Sequence, residues 1–204
     1  MLDRSLAAQA NHVCRRGGEP FVRGFSAGYG PLAFNPSRVS RRFRPITDGG
    51  AVVPTAYGAE TGLIALAETV LRRAATIGGV LHVAELRGLG LVKTSFPHDL
   101  DLLQLNGAGL RKLRLTRAQV IDTGPDAYPG TAQVAQALYD ANPSAHGIVW
   151  TSHQADDGDA FILWGTRLDP AAANILEGPT LLDDPHGLAL VQAACERLGV
   201  LLVA

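Results

Sequence analysis

The chain has 204 residues, of which 47% are hydrophobic and 18% are charged, and its net charge is −1. This composition excludes intrinsic disorder, because so apolar a chain can bury enough surface to offset the entropy lost on folding, and the length suits one domain. The N-terminus lacks an apolar signal core, and no uncharged run approaches the ~18–20 residues that a membrane span needs.

The first third of the chain predicts a lead-in, a loop-rich segment, one strand and one helix. Residues 1–19 lack periodicity, so they predict a loose or short-helical lead-in. Phe21–Pro45 is rich in Gly and Pro and predicts strand and loop, and the β-type run Ala51–Tyr57 contains a proline typical of an edge strand or a bulge. The clearest helix is predicted from Thr61 to about Thr76, where apolar residues recur at helical spacing.

The rest of the chain mixes short strands with helices. The predicted strands are Val80–Leu86, Leu89–Ser95, Gly147–Ser152 and Ala160–Thr166; the helices are Thr131–Ala141 and Leu188–Leu198; the type of Asp99–Leu105 and Leu110–Leu115 stays open. Because no regular βαβ rhythm appears, we expect one α+β domain over residues 20–204 rather than a doubly wound sheet.

The charges are distributed unevenly along the chain. Residues 1–117 contain 16 Lys and Arg against 8 Asp and Glu, whereas residues 118–204 contain 2 against 11. No acid lies between Glu19 and Asp48, a segment that holds Arg23, Arg38, Arg41, Arg42 and Arg44. The planar guanidinium suits paired oxygens of phosphate or carboxylate, so this segment is a candidate anion site. A solvated basic face is the alternative, and nothing in the pattern indicates nucleic-acid binding.

One familiar motif lacks its structural context, and other common motifs are absent from the sequence. Gly24–Gly28 matches the G-x-S-x-G turn of serine hydrolases, but no helix can follow Ser26 at once, so a hydrolase using Ser26 is only a remote alternative. No phosphate-loop or dinucleotide glycine pattern is present. Cys14 and Cys195 lie near opposite ends without metal-ligand spacing, so we expect a cytoplasmic protein with no disulfide scaffold and no metal.

Three polar residues occupy positions at which the sequence pattern predicts a functional role. Glu68 lies on the border of the apolar stripe of the predicted helix, where a carboxylate must be paired, protonated or facing a cleft. Tyr57 ends the strand before that helix. Ser152 closes a strand, where we expect an exposed hydroxyl at a sheet edge. Each also has an ordinary structural interpretation when taken alone.

Five short motifs follow one another along the chain and contain Arg23 (PFVRG), Arg42 (RRFRP), Tyr57 (VPTAY), Glu68 (ALAE) and Ser152 (GIVWTS). In this order they resemble the RES-domain family, which is named for its Arg, Glu and Ser and whose members are toxins of bacterial toxin–antitoxin pairs. The resemblance covers about residues 20–168. The family usually has Gly before the central Arg, whereas this chain has Ser40-Arg41-Arg42, so Arg41, Arg42 and Arg44 all remain candidates for that position.

The resemblance implies a fold similar to diphtheria-toxin-like ADP-ribosyltransferases, with a split central β-sheet around NAD as substrate. It implies that Glu68, Arg42 and Ser152 are catalytic, and that Arg23, Arg42, Tyr57 and Ser152 bind NAD. In such an enzyme Glu68 stabilises the positive charge that grows as the nicotinamide–ribose bond breaks.

The same resemblance implies partners without choosing among them. The ADP-ribose acceptor is a protein, such as phosphoribosyl pyrophosphate synthetase, or else water or phosphate. A cognate antitoxin that occludes the NAD cleft is expected, a homodimer is left open, and neither a membrane nor direct nucleic-acid contact is implied. The alternative from another class is a non-catalytic nucleotide-pocket domain that acts through a protein partner.

Overall fold

The computed structural model describes residues 2–72, 74 and 79–204, which form twelve strands and six α-helices. The strands are β1 His12–Arg15, β2 Phe21–Ser26, β3 Thr47–Asp48, β4 Ala51–Val52, β5 Thr55–Ala59, β6 Val80–His82, β7 Leu89–Ser95, β8 Leu100–Gln104, β9 Gly147–Thr151, β10 Asp159–Trp164, β11 Asn174–Leu181 and β12 Leu201–Val203. The helices are α1 Arg4–Ala7, α2 Gly62–Glu68, α3 Gly107–Lys112, α4 Arg117–Val120, α5 Tyr128–Ala141 and α6 Pro185–Leu198.

Eight strands form one mixed sheet in the order β1-β8-β9-β10-β5-β2-β7-β11. Only the β8–β9 pair of this sheet is parallel, and its other pairs are antiparallel. Two small sheets, β3–β4 and β6–β12, lie outside it. The helices flank the sheet, so the predicted α+β class is confirmed.

The large sheet is almost divided between β2 and β5. These strands pair through a single register position, Val22 opposite Ala59, whereas β2 pairs with β7 over six residues. The strands therefore separate beyond that position, which produces the split sheet that the family resemblance implies. Both strands supply walls to the cleft described below.

Alternation along the central strands divides the core between the two faces of the sheet. In β9, Ile148 and Trp150 pack into the larger apolar cluster, and Val149 packs into the smaller one. In β10, Trp164 packs into the larger cluster and Phe161 packs into the smaller one. Because both faces are covered, these strands read as continuous apolar runs rather than as alternating ones.

Several predicted elements need correction. The helix predicted from Thr61 to Thr76 begins after its Thr61 N-cap but ends at Glu68, because the chain turns at Thr69. Residue 73 and residues 75–78 of that prediction lie outside the described residues. The run at 51–57 is two strands separated at its proline, as β4 and β5.

Two further corrections concern the lead-in and the strand predicted over 80–86. Residues 1–19 hold the short helix α1, which agrees with the short-helical alternative, and also the strand β1, which was not predicted and pairs with β8 at the edge of the large sheet. Of the strand predicted over residues 80–86, only Val80–His82 is a strand, and the 3₁₀ turn Val83–Leu86 follows it. The two segments whose type was left open, residues 99–105 and 110–115, contain strand β8 and the end of helix α3. Among the described helices, none has the length and apolar character to cross a membrane.

Candidate active site

A cleft of about 1150 Å³ opens where β2 and β5 separate. Its wall combines the ends of these strands, the arginine-rich segment before β3, the end of α2, and the loops around residues 122–128 and 150–154. Charged and aromatic wall residues include Arg23, Arg41, Arg42, Arg44, Tyr57, Glu68, Arg72, Asp122, Tyr128 and His153. The acid-free arginine segment and the polar residues singled out in the sequence therefore meet in one place, apart from Ser152, which lies behind the wall.

The side chain of Glu68 is fixed by three donors. Its Oε2 accepts a hydrogen bond from Arg42 NH1 at 3.0 Å, and its Oε1 accepts from Ser152 Oγ at 2.8 Å and from the His153 backbone N–H at 3.2 Å. The side chains of Arg42 and Glu68 are 2% and 8% exposed. Burying a charged pair costs folding free energy unless further hydrogen bonds satisfy the charged groups. Here both oxygens of the Glu68 carboxylate accept hydrogen bonds. We call Arg42, Glu68 and Ser152 the inner cluster.

A tight turn places Arg42 against Glu68. Arg41 and Arg44 exchange backbone hydrogen bonds of 3.1 Å, and the Phe43 between them has φ of 66°. A phenylalanine rarely adopts this left-handed conformation. It is held because the buried ring packs on Trp150 at 5.0 Å between centroids and its N–H donates to Thr131 Oγ1 at 3.2 Å. Among the three candidates for the family's central arginine, Arg42 is the one that contacts Glu68.

Tyr57 contacts the turn that holds Arg42. Its hydroxyl donates to the carbonyl oxygen of Arg42, and its ring meets Trp150 edge-on with the centroids 6.4 Å apart. Burial raises the pKa of Tyr57 to about 12, so the phenol stays protonated as that donor requires. The half-buried ring also lines the cleft, where the predicted contact with NAD remains a prediction.

The structure corrects the expectation for Ser152. Its side chain is fully buried rather than exposed at a sheet edge, and it follows β9 directly. Its Oγ donates to Glu68 and accepts from the backbone N–H groups of Gln154 and Ala155, both at 3.3 Å. The Ser152 hydroxyl therefore contacts Glu68 rather than the open cleft, and its predicted contact with NAD stays a prediction.

Arg23 and Arg44 bind the protein's own backbone. Arg23 donates to the carbonyl oxygens of Leu32 at 2.9 Å and Ala33 at 2.7 Å, and burial lowers its pKa to about 10. Arg44 donates to the carbonyl oxygens of residues 37 and 39 and to the hydroxyl of Thr55. The two side chains therefore shape the loop of residues 32–39, and the predicted contact of Arg23 with NAD stays a prediction.

Arg72 is a cleft residue to which the sequence interpretation assigns no role. Its guanidinium lies 4.5 Å from the centroid of the Tyr128 ring, and its NH2 is buried without a hydrogen-bond partner in the described part of the chain. Burial and the neighbouring charge of Arg42 lower its pKa to about 10. Helical spacing from Glu68 could not have placed it, because α2 ends at Glu68 and Arg72 lies in the turn that follows.

A second charged cluster lies at the rim of the cleft and was also missed. His153 Nδ1 lies 2.8 Å from Asp122 Oδ1, which also accepts from Arg117 Nε at 2.9 Å. Arg117 NH2 further donates to the Ser152 carbonyl at 3.2 Å and to Asp156 at 3.0 Å. We call Arg117, Asp122 and His153 the rim cluster. Only the adjacency of His153 to Ser152 could have indicated it, because Asp122 lies 31 positions away from His153 in the sequence.

The remote alternative of a hydrolase using Ser26 is wrong. Ser26 is exposed at the end of β2, and the chain continues into a turn in which the Tyr29 N–H donates to the Ser26 carbonyl. The helix that a nucleophile elbow requires is absent at this point.

The chain matches a protein-family model and is similar to solved structures. A family model described as the RES domain matches residues 19–184. Among solved structures, a chain in the crystal structure of the M. tuberculosis MbcT–MbcA toxin–antitoxin complex is similar, with 17% identity and a TM-score of 0.60. The match covers 87% of this chain and 92% of that chain, and it shows a shared fold. No curated protein matches this chain.

Proposed function

This chain belongs to the RES-domain family, and we propose that it cleaves the nicotinamide–ribose bond of NAD and transfers ADP-ribose to an acceptor. The observation that carries the proposal is the inner cluster: a carboxylate held by a buried arginine and a buried serine at the wall of a large arginine-lined cleft. A retained but idle pocket would not need so costly a buried charge pair, which argues against the non-catalytic alternative.

The chemistry requires negative charge beside the ribose. When the bond breaks, its electron pair leaves with the nicotinamide, which becomes neutral, and the ribosyl carbon gains the character of an oxocarbenium ion. Glu68 would bind the ribose 2′-hydroxyl and face that positive charge. Arg42 and Ser152 fix the carboxylate before reaction, so little reorganisation is needed in the transition state.

The cleft suits a ligand with phosphates and flat rings. Its volume of about 1150 Å³ is slightly above the usual range for ligand sites, which run to roughly 1,000 Å³. Arg41 and Arg72 also supply cations at the wall: Arg41 NH1 donates to the carbonyl oxygen of its neighbour Ser40 at 3.3 Å, and the Arg72 guanidinium lies over the Tyr128 ring. The rings of Tyr57 and Tyr128 supply stacking surfaces. These features support binding of a pyrophosphate and of the nicotinamide and adenine rings.

We further propose that the protein is the cytoplasmic toxin of a toxin–antitoxin pair, as the family implies. The fold it shares with a chain of the MbcT–MbcA toxin–antitoxin complex supports this role. An antitoxin segment that enters the cleft would meet the same cations as NAD, so the two should compete. A homodimer remains open.

The test is incubation of the purified protein with NAD, followed by chromatography for nicotinamide and mass spectrometry of the ADP-ribose product. Parallel reactions with buffer alone, with inorganic phosphate and with cell lysate would separate water, phosphate and protein as acceptors. Release of nicotinamide supports the proposal. A folded protein that binds NAD and releases none contradicts it and favours the non-catalytic domain.

A further inference from the structure

His153 is placed beside the proposed reaction centre and held by a carboxylate. The His153 backbone N–H donates to Glu68 Oε1, so the His153 side chain starts next to the carboxylate that we propose faces the ribose. Its imidazole lines the same cleft and is 43% exposed. The 2.8 Å contact with Asp122 fixes the ring in one orientation.

The contact with Asp122 indicates which ring nitrogen is free to accept a proton. A neutral imidazole with its hydrogen on Nδ1 can donate that hydrogen to the Asp122 carboxylate, which only accepts hydrogen bonds. The lone pair is then on Nε2, which has no hydrogen-bond partner among the residues that the structure describes. Arg117 pairs with Asp122 and with Asp156, and Glu68 accepts from the His153 backbone N–H, so charged groups of both signs surround this residue.

We propose that His153 is the base that accepts the proton of the acceptor. The inference rests on the proposed function and adds the acceptor's chemical class, which is a neutral hydroxyl: water or a protein side-chain O–H. As the C–N bond breaks, its electron pair leaves with nicotinamide. The hydroxyl oxygen forms the new bond to the ribosyl carbon, and its proton moves to Nε2 of His153. An anionic acceptor has no need of this step.

The experiment compares His153→Ala and His153→Gln with the whole wild-type protein, using sodium azide as the probe. Azide is a nucleophile without a proton to lose. In buffer, both variants should form product about 10²-fold or more slowly than wild type, because general-base catalysis contributes roughly 10²–10⁴-fold. The KM for NAD should stay within about threefold. Azide should restore turnover of His153→Ala and yield ADP-ribosyl azide, which mass spectrometry identifies.

Two controls make the result decisive. His186→Gln changes an exposed histidine outside the cleft wall and should leave both rates unchanged. Asp122→Asn should slow the reaction less than His153→Ala and be rescued by azide as well.

Different failures have different meanings. A wild type that releases no nicotinamide overturns the proposed function and this inference with it. An active wild type whose His153 variants keep full rates in buffer overturns the inference alone. Slow variants that azide does not rescue, or whose KM for NAD rises in step with the loss, also overturn it, because they indicate a structural role.

Discussion

The inner and rim clusters use similar groups at very different depths. In the inner cluster the paired side chains of Arg42 and Glu68 are 2% and 8% exposed, whereas in the rim cluster those of Arg117 and Asp122 are 34% and 31% exposed. Water screens the rim pair and leaves the inner pair unscreened. The inner cluster should therefore support both the fold and the chemistry, and the rim cluster should affect chemistry almost alone.

Arg42→Ala should have the largest effect on stability. It leaves the carboxylate of Glu68 buried without its cation, and breaking a buried pair in this way costs about 3–5 kcal/mol of unfolding free energy. Urea denaturation measures the difference. If the loss is below about 1 kcal/mol, the inner pair behaves like a surface salt bridge and the contrast between the clusters fails.

Arg72→Ala should weaken NAD binding while the protein stays folded. Arg72 lines the cleft and its NH2 has no hydrogen-bond partner among the described residues, and a hydrogen bond to a charged group is worth about 1.5–3 kcal/mol, or roughly 10- to 150-fold in Kd. Titration calorimetry with NAD provides the measurement. Arg38→Ala is the matched control, since Arg38 is exposed and outside the cleft wall. Equal losses for both variants would mean that the arginines form only a general basic surface.

Ser152→Ala should separate positioning from ligand contact. The variant loses the hydrogen bond that orients Glu68 and should cost about 1–2 kcal/mol of unfolding free energy. We expect kcat for NAD cleavage to fall while KM stays nearly constant, because the hydroxyl is enclosed. Steady-state kinetics decide the matter. A raised KM with unchanged kcat would indicate that Ser152 contacts NAD directly, as the family resemblance implies.

Arg117→Ala should have the smallest effect on stability. Both of its ion pairs involve partly exposed groups, so the free energy of unfolding should fall by about 1 kcal/mol at most. Thermal unfolding beside Arg42→Ala gives the direct contrast. A loss as large as that of Arg42→Ala would show that the rim cluster supports the fold as strongly as the inner one.

Sequence reasoning identified the inner cluster but misjudged how its members are arranged. Glu68 stood out because a carboxylate on an apolar helix needs a partner, and the ordered motifs supplied Arg42 and Ser152. The burial of Ser152 was missed because a strand end usually meets solvent, and only the turn of residues 152–158 encloses it. The early end of α2 was missed because apolar spacing continues past Glu68, although the backbone leaves helical geometry at Thr69.

The rim cluster was beyond the reach of sequence patterns for a different reason. Asp122 and His153 come from loops on either side of α5 and β9, and only the packing of those elements brings them within 2.8 Å. A pattern of short spacing cannot reveal such a contact. The edge strand β11 was missed as well, because its exposed residues and internal proline give no strand signal.

The most direct test of the account is Glu68→Gln assayed for nicotinamide release and NAD binding in the same preparation. The amide keeps nearly the same shape but cannot stabilise positive charge on the ribose. We predict a folded protein that binds NAD within a few-fold of wild type and releases nicotinamide at least about 10²–10³-fold more slowly. Nicotinamide release at the wild-type rate would contradict the central claim that Glu68 drives the chemistry.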